Sequence, residues 1–110
     1  MRRVLFDEDV PRDLRRDLSD FSVRTVQEEM WSSLKNGELL RAASGVFDVF
    51  VTADKNLQYQ QNISKLSIGM VVLASRDTRL PSLRALLPEI RAAVATVEPG
   101  AVVRVPADRA

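Results

Sequence analysis

The chain has 110 residues, of which 45% are hydrophobic and 28% charged, and its formal net charge is +1. This composition is typical of one folded domain. Cysteine and histidine are both absent, which excludes disulfides, thiolate and histidine metal sites, and Ser-His-Asp or Cys-His catalysis. Acid–base or metal chemistry must therefore use carboxylates, lysine, tyrosine, amides or hydroxyls. The small net charge gives no bulk indication of nucleic-acid binding.

The chain also lacks the features of a membrane or secreted protein. It contains no apolar run long enough to span a bilayer. Its start, Met-Arg-Arg, leads directly into a strand-like segment rather than into a secretory signal. We therefore expect a cytoplasmic protein without a membrane partner.

The predicted elements alternate strands with helices. Apolar or alternating segments predict strands at residues 4–6, 21–26, 46–52, 68–74 and, at a sheet edge, 101–105. Helical spacing predicts a helix after Pro11 that carries Leu14 and Leu18, and a second helix from 36 to 45. A third helical pattern covers 80–97, and we expect Pro88 to break it in two.

This alternation predicts the fold class. The continuous apolar strands 46–52 and 68–74 are typical of a sheet that is covered on both faces, and hence of parallel strands. We expect an α/β fold, a single-domain three-layer sandwich with a central, mostly parallel sheet. The domain should cover residues 1–105, and residues 106–110 should form a flexible C-terminal tail.

Two of the predicted strands end in a carboxylate. Asp7 follows strand 4–6, and Asp54 follows the apolar run that ends at Ala53. Parallel strands end at one edge of a sheet, where α/β proteins bind ligands, and a helix that follows a strand begins at the same edge, as Glu38 does here. Carboxylates without histidine or cysteine favour Mg²⁺ or Mn²⁺. Such an ion can activate water for attack on a phosphodiester.

Each acid also has an ordinary structural interpretation. Aspartates at strand ends are common helix caps and turn formers, so Asp7 can be a cap, and Asp9 can cap the helix that begins near Pro11. Asp54 can open the turn 54–56, and Glu38 lies in a first helical turn, where a negative charge is favourable. The coincidence of three acids at one edge favours the metal site.

Three segments carry a resemblance to a known family: "VLFDEDVPRDLRRDL", "VRTVQEEMWSSLKNGELLRAA" and "FDVFVTADKNLQYQQN". They resemble the compact PIN-like nucleases, which are often grouped with predicted toxin–antitoxin nucleases. The resemblance implies a metal-dependent ribonuclease whose acids hold Mg²⁺ or Mn²⁺. The acid after the family's first strand matches Asp7, and its TxD motif matches Thr52-Ala53-Asp54. By spacing, the acidic position that opens the family's helix falls on Asn36 here, which departs from the family pattern, and Glu38, two residues on, can compensate. Glu28 is a candidate for a further acid.

The resemblance thus implies that Asp7, Glu38 and Asp54 are both metal ligands and catalytic residues. Polar residues nearby are the expected contacts to the substrate, and they are Arg12, Lys35, Asn36, Lys55 and Asn56. Trp31 and Tyr59 would either stack on unpaired bases or pack within the protein.

Three functions remain open. The first is a Mg²⁺- or Mn²⁺-dependent ribonuclease that acts on RNA, as the toxin of a toxin–antitoxin pair with an antitoxin protein as partner. A homodimer through the apolar region 83–97 is an alternative to burial of that region in the core. The second is a response-regulator receiver, with Ser75 as its hydroxyl, although no lysine follows residue 65. The third is a catalytically silent interaction module with the same fold.

Overall fold

The computed structural model describes residues 1–107. In this part of the chain the strands are β1 (Arg3–Phe6), β2 (Ser22–Thr25), β3 (Val49–Thr52), β4 (Gly69–Leu73) and β5 (Val102–Val105). The α-helices are α1 (Asn36–Ser44), α2 (Leu57–Gln60), α3 (Leu80–Ala85) and α4 (Leu87–Thr96), and two 3-10 helices lie at Arg12–Leu18 and Ile63–Lys65. Residues 108–110 of the predicted flexible tail lie outside the described residues.

The five strands form one parallel sheet in the order β2-β1-β3-β4-β5. Phe6 pairs with Thr25 on one side and with Val51 on the other, so the strands end nearly level with one another. The residues that directly follow these strands therefore lie at one edge, termed here the carboxyl edge. Helices cover both faces of the sheet, which confirms the predicted α/β three-layer sandwich with a parallel central sheet.

Alternate strand residues build two hydrophobic cores, one on each face. On one face, Leu14 and Leu18 pack together with α3 and α4 against Phe6 and its neighbours. On the other face, α1 and α2 pack against Leu5 and Phe50. Every residue of β3 and β4 is buried. Apart from Thr52, their sequences carry no polar side chain, because a strand that is covered on both faces has no side that faces water.

The last crossover has an uncommon hand. The connections from β3 to β4 and from β4 to β5 step across the sheet in the same direction. The first runs through α2 on the face of α1, whereas the second runs through α3 and α4 on the opposite face. The two crossovers therefore have opposite hands, although parallel crossovers are nearly always right-handed.

One strand boundary and one helix type differ from those expected from the pattern. The predicted strand 46–52 begins only at Val49, because the N–H groups of Val46 and Phe47 both donate to the Ala43 carbonyl and so extend the end of α1. The segment after Pro11 is a 3-10 helix. The spacing of its two buried leucines does not distinguish that helix from an α-helix.

The helically spaced apolar residues of the region 83–97 lie in the core. Leu83, Ile90 and Val94 are fully buried within this one chain, so they are not exposed to a second copy. The expected break is confirmed, since Leu86 separates α3 from α4 just before Pro88. Within residues 1–107, no helix combines the length and the apolar character needed to cross a bilayer.

Gly69 opens β4 where that strand passes beneath the chain after α4. A Cβ at this position would lie 2.8 Å from Val97 Cγ1 and 2.9 Å from the Glu98 carbonyl oxygen. Gly69→Ala must displace backbone, and we expect its free energy of unfolding to fall by about 1–3 kcal/mol, the usual penalty of overpacking. Urea unfolding measures this change.

Gly45→Ala is the matched control, because nothing lies within 4 Å of a Cβ built at residue 45. Its backbone φ of −93° suits any residue. An equal loss of stability in the two variants would show that the clash at residue 69 is not the cause.

Candidate metal centre at the carboxyl edge

Asp7 and Asp54 come together at the carboxyl edge. They follow β1 and β3, which are hydrogen-bonded neighbours. The Asp7 N–H donates to the Val51 carbonyl at 2.9 Å, so the ladder continues up to the acid. From β1 the chain continues to β2, towards one side of the sheet, and from β3 it continues to β4, towards the other side. The strand order therefore reverses between β1 and β3. Doubly wound sheets bind ligands at such switch points.

A buried hydroxyl joins the two acids. Thr52 is fully buried, and its hydroxyl donates to Asp7 Oδ2 at 2.8 Å while its oxygen accepts the Asp54 N–H at 3.0 Å. The other Asp7 oxygen accepts the Glu8 N–H at 2.9 Å. A hydroxyl has one proton, so donation to Asp7 leaves its lone pairs for Asp54. The Asp7 carboxylate is thus fixed in one orientation before any ligand binds.

Replacement of this hydroxyl has a defined consequence. Thr52→Val keeps the volume but leaves the Asp54 N–H without its acceptor and Asp7 Oδ2 without its donor. We expect the free energy of unfolding to fall by about 1–3 kcal/mol, the penalty of unsatisfied buried groups, in a urea titration. Thr52→Ser is the control, since it retains the hydroxyl and loses only one methyl, worth about 0.8 kcal/mol. A valine variant more stable than the serine variant would contradict the bridge.

Asp9 is a third carboxylate at this edge. Its Oδ1 accepts the Ala53 N–H at 3.0 Å. The helix Arg12–Leu18 has no side-chain cap, so the expected capping role of Asp9 is wrong. Loss of hydration around its carboxyl raises the pKa of Asp9, the Ala53 N–H opposes this, and the charges of Asp7 and Asp54 raise the pKa further. The residue as a whole keeps an exposed surface, open to a ligand.

Sequence reasoning missed Asp9 as part of this cluster. The available signal was the Asp-x-Asp spacing directly after a strand, in which Asp7 and Asp9 flank Glu8. The capping preference of aspartate offered a simpler interpretation of the same residue.

The turn after β3 fixes one oxygen of Asp54. Its Oδ1 accepts the Asn56 N–H at 2.9 Å, which is the turn-forming role expected for an aspartate here. Within the described residues, Oδ2 accepts no hydrogen bond and remains open to a cation. Lys55 is half-buried and Asn56 is exposed at the same turn. The turn-forming role and the ligand role of Asp54 are therefore compatible.

Lys35, Asn36 and Glu38 lie at the start of α1. All three are exposed, and the Glu38 carboxylate has no hydrogen bond or ion pair within residues 1–107. Its charge is not among those that shift the pKa of Asp9. The structure thus brings Asp7, Asp9 and Asp54 together and leaves Glu38 outside that group. The roles of the α1 residues in metal and phosphate binding stay predictions.

Glu28 forms the loop after β2. Its Oε1 accepts the Thr25 N–H at 2.9 Å, and its own N–H donates to Thr25 Oγ1 at 3.1 Å. This is the reciprocal pattern of a capping box. The Arg15 guanidinium at 2.8 Å and the Thr25 N–H hold the pKa of Glu28 below its usual range. Its carboxylate is thus committed to the loop rather than to the aspartate cluster.

A pocket of about 460 Å³ opens beside the acids. Its lining residues are Glu8, Asp9, Val10, Pro11, Arg12, Thr25 and Gln27. Arg12 is exposed and forms no ion pair within the described part of the chain. Its guanidinium can therefore meet an anionic ligand that approaches Asp9.

The two polar aromatic residues differ in environment. Trp31 packs edge-on against Phe47, with ring centroids 6.1 Å apart and an interplanar angle of 85°, and it adjoins the core on the α1 face. The packing interpretation of Trp31 therefore holds. Tyr59 is 74% exposed, so its ring is open to stacking.

The donor set fits a hard divalent cation. Asp7, Asp9 and Asp54 offer only carboxylate oxygens, which Mg²⁺ and Mn²⁺ prefer. Residues 1–107 contain no group of three or more acidic, histidine or cysteine side chains that could hold a metal ion. Mg²⁺ does not need one, because it keeps several waters and is often bound by one or two carboxylates plus substrate phosphates. A cation would also relieve the repulsion that acts on Asp9.

The structure also bears on the receiver hypothesis. The strand order is one that receivers adopt, Asp54 follows β3, and Ser75 follows β4. No lysine follows residue 65, however, and α3 and α4 lie on the face opposite to the one that a right-handed β4-to-β5 crossover would give them. Both features count against a receiver.

No family model matches the chain, and no curated protein or solved structure matches it either.

Proposed function

We propose that this protein is a Mg²⁺- or Mn²⁺-dependent ribonuclease of the PIN-like type. The proposal is carried by the convergence of Asp7, Asp9 and Asp54 at the switch point of a parallel sheet, with Thr52 buried between two of them. Without histidine or cysteine, such a cluster suits a hard cation better than acid–base catalysis alone. The resemblance of the quoted segments to PIN-like nucleases supplies the substrate class.

The aspartates would divide the work of holding the cation. Asp7 and Asp54 would be direct ligands, and Asp9 would bind the same ion or one of its waters. A divalent ion held there supplies the activated water and the charge neutralisation that phosphodiester hydrolysis requires. Thr52 and the Asn56 N–H keep the Asp7 and Asp54 carboxylates oriented, so little reorganisation is needed when the site fills.

The cations and amides around the acids would position the RNA. Arg12 lines the adjoining pocket, Lys55 and Asn56 follow Asp54, and Lys35 and Asn36 begin α1. Phosphate contacts of this kind fix the position of a nucleic acid without reading its sequence.

Glu38 and Tyr59 would act further out. Glu38 is exposed in the first turn of α1, and we propose that it binds waters of the cation rather than the cation itself. The exposed Tyr59 ring would stack on an unpaired base. The toxin role and an antitoxin partner are part of the proposal on the strength of the resemblance alone.

RNA cleavage by the purified protein tests the proposal. End-labelled single-stranded RNA is incubated with Mn²⁺, with Mg²⁺ or with EDTA, and the fragments are separated on a denaturing gel. We expect cleavage with at least Mn²⁺, its loss in EDTA, and its return when Mn²⁺ is restored, because the carboxylates alone repel the phosphodiester. Cleavage that continues in EDTA would contradict the metal mechanism.

The second candidate is a catalytically silent interaction module. The observation that favours it is that residues 1–107 contain no group of three or more acidic, histidine or cysteine side chains that could hold a metal ion. An intact, folded protein that cleaves no RNA with either ion would support this candidate over the nuclease.

A further inference from the structure

A further pocket lies on the α1 face of the sheet, and no acidic residue lines it. It has a volume of about 420 Å³, and its lining residues are Gly37, Leu40, Arg41, Gln61, Asn62, Lys65 and Leu66. We name it the Arg41 pocket. Neither Arg41 nor Lys65 forms an ion pair within the described residues. Two unpaired cations that line one concave surface attract an anion.

The floor of the Arg41 pocket brings polar groups close together. A Cβ at Gly37 would lie 3.2 Å from Gln61 Oε1 and 3.6 Å from Arg41 Nη1, so both side-chain ends approach the same point. Asn62 Oδ1 accepts the Ser64 hydroxyl at 2.6 Å, which leaves its NH₂ group for a ligand. Arginine, lysine and amide N–H groups together suit the oxygens of a phosphate.

The pocket is continuous with the segment that carries Asp54. Gln61 comes seven residues after Asp54, with α2 between them, so the two lie at most roughly 25 Å apart. About seven stacked nucleotides of a single strand cover that distance. The exposed ring of Tyr59 lies on α2, between the two positions.

We propose that the Arg41 pocket binds a backbone phosphate of single-stranded RNA whose scissile bond lies at the carboxyl edge. This inference rests on the proposed nuclease function and adds a second contact to its substrate. A free phosphate or a mononucleotide has the same anionic chemistry. RNA is favoured because the pocket, Tyr59 and Asp54 follow one another along one short stretch of chain.

RNA binding by the double variant Arg41→Gln/Lys65→Gln tests this inference. A fluorescently labelled single-stranded RNA is titrated in EDTA, which prevents cleavage, and its anisotropy is recorded at several salt concentrations. We expect the dissociation constant to rise about tenfold. The slope of log affinity against log salt should fall by about 0.7 for each phosphate contact that is lost.

Arg16→Gln is the matched control. Arg16 is exposed on the 3-10 helix Arg12–Leu18, which packs on the opposite face of the sheet, and it has no ion pair in the described residues. Thermal unfolding shows that each variant is folded. A double variant that binds RNA like the wild-type protein, or an equal loss per charge in the control, would overturn the proposal.

Two further measurements are needed. One distinguishes RNA from a free anion as the ligand of the Arg41 pocket, and the other distinguishes failure of the pocket proposal from failure of the nuclease proposal. Inorganic phosphate and AMP are titrated alone; binding tighter than that of RNA and lost in the double variant would assign the pocket to a free anion and overturn the RNA proposal. RNA binding that depends on Arg41 and Lys65, without metal-dependent cleavage, would refute the nuclease alone. Metal-dependent cleavage with unchanged binding in the double variant would refute the pocket alone.

Discussion

Asp7→Asn and Asp54→Asn should each lower the rate of Mn²⁺-dependent RNA cleavage at least about a hundredfold. Loss of a residue that only hydrogen-bonds to a metal ligand already costs up to about a hundredfold, and loss of a direct ligand should cost no less. Asparagine keeps the shape of the side chain and an oxygen that can accept the bonds from Thr52 and from the Asn56 N–H. The charge that holds the cation is lost. Initial rates at saturating Mn²⁺ measure the effect, and thermal unfolding confirms that each variant is folded.

Asp48→Asn is the control for these substitutions. Asp48 precedes β3 at the opposite end of the sheet, where its Oδ2 accepts the Arg3 N–H at 2.7 Å. The change removes the same charge far from the carboxyl edge, so we expect cleavage close to that of the wild-type protein. An Asp7→Asn variant as active as Asp48→Asn would rule out Asp7 as a ligand.

Mn²⁺ should raise the midpoint of thermal unfolding of the wild-type protein. A ligand that binds only the folded state stabilises it by mass action, by about 2.7 kcal/mol at a hundred times its dissociation constant. For a chain of this size that is a rise of roughly 10 °C. Asp54→Asn should lose most of this rise, because one of the two proposed direct ligands is no longer charged. A rise that is unchanged in this variant would place the ion elsewhere.

The same thermal unfolding measurement shows whether Asp9 or Glu38 is the third acid that binds the cation. Asp9→Asn should reduce the Mn²⁺-induced rise more than Glu38→Gln, because the charge of Asp9 interacts with those of Asp7 and Asp54. The reverse order would make Glu38 the third ligand.

Without metal, the raised pKa of Asp9 predicts how the stability of the protein changes with pH. Its protonated form is favoured in the folded state, so the stability it contributes at low pH is lost as the pH rises through the raised pKa. We therefore expect Asp9→Asn to be at least as stable as the wild-type protein at neutral pH. A clear loss of stability would contradict this expectation, because asparagine keeps an oxygen that can accept the Ala53 N–H and removes only the charge.

The sheet and two of its acids could be predicted because their signals are local. Strands that are buried on both faces are mostly apolar, so 46–52 and 68–74 stand out despite Asp48 and Thr52. The carboxylates that follow strands are visible as Asp7 and Asp54. Asp9 was interpreted wrongly because its partner Ala53 is 44 residues away. A capping preference describes only its immediate neighbours.

The hand of the last crossover could not be predicted either. The pattern of residues 80–97 shows which side of the helices is apolar. It does not show which face of the sheet those helices cover, because both faces offer an apolar core. In the structure, α3 packs against the helix Arg12–Leu18, with an ion pair between Arg84 and Asp17 at 2.9 Å, and these contacts join segments that are far apart in the sequence.

Anomalous diffraction from crystals grown with Mn²⁺ would test the central claim most directly. The measurement locates the ion without any assumption about the RNA substrate. We expect a Mn²⁺ peak bonded to the carboxylates of Asp7 and Asp54, with Asp9 in contact with the ion or with one of its waters. A fully occupied crystal form with no peak at the carboxyl edge, or with a peak only at another site, would contradict the metal centre and the nuclease mechanism built on it.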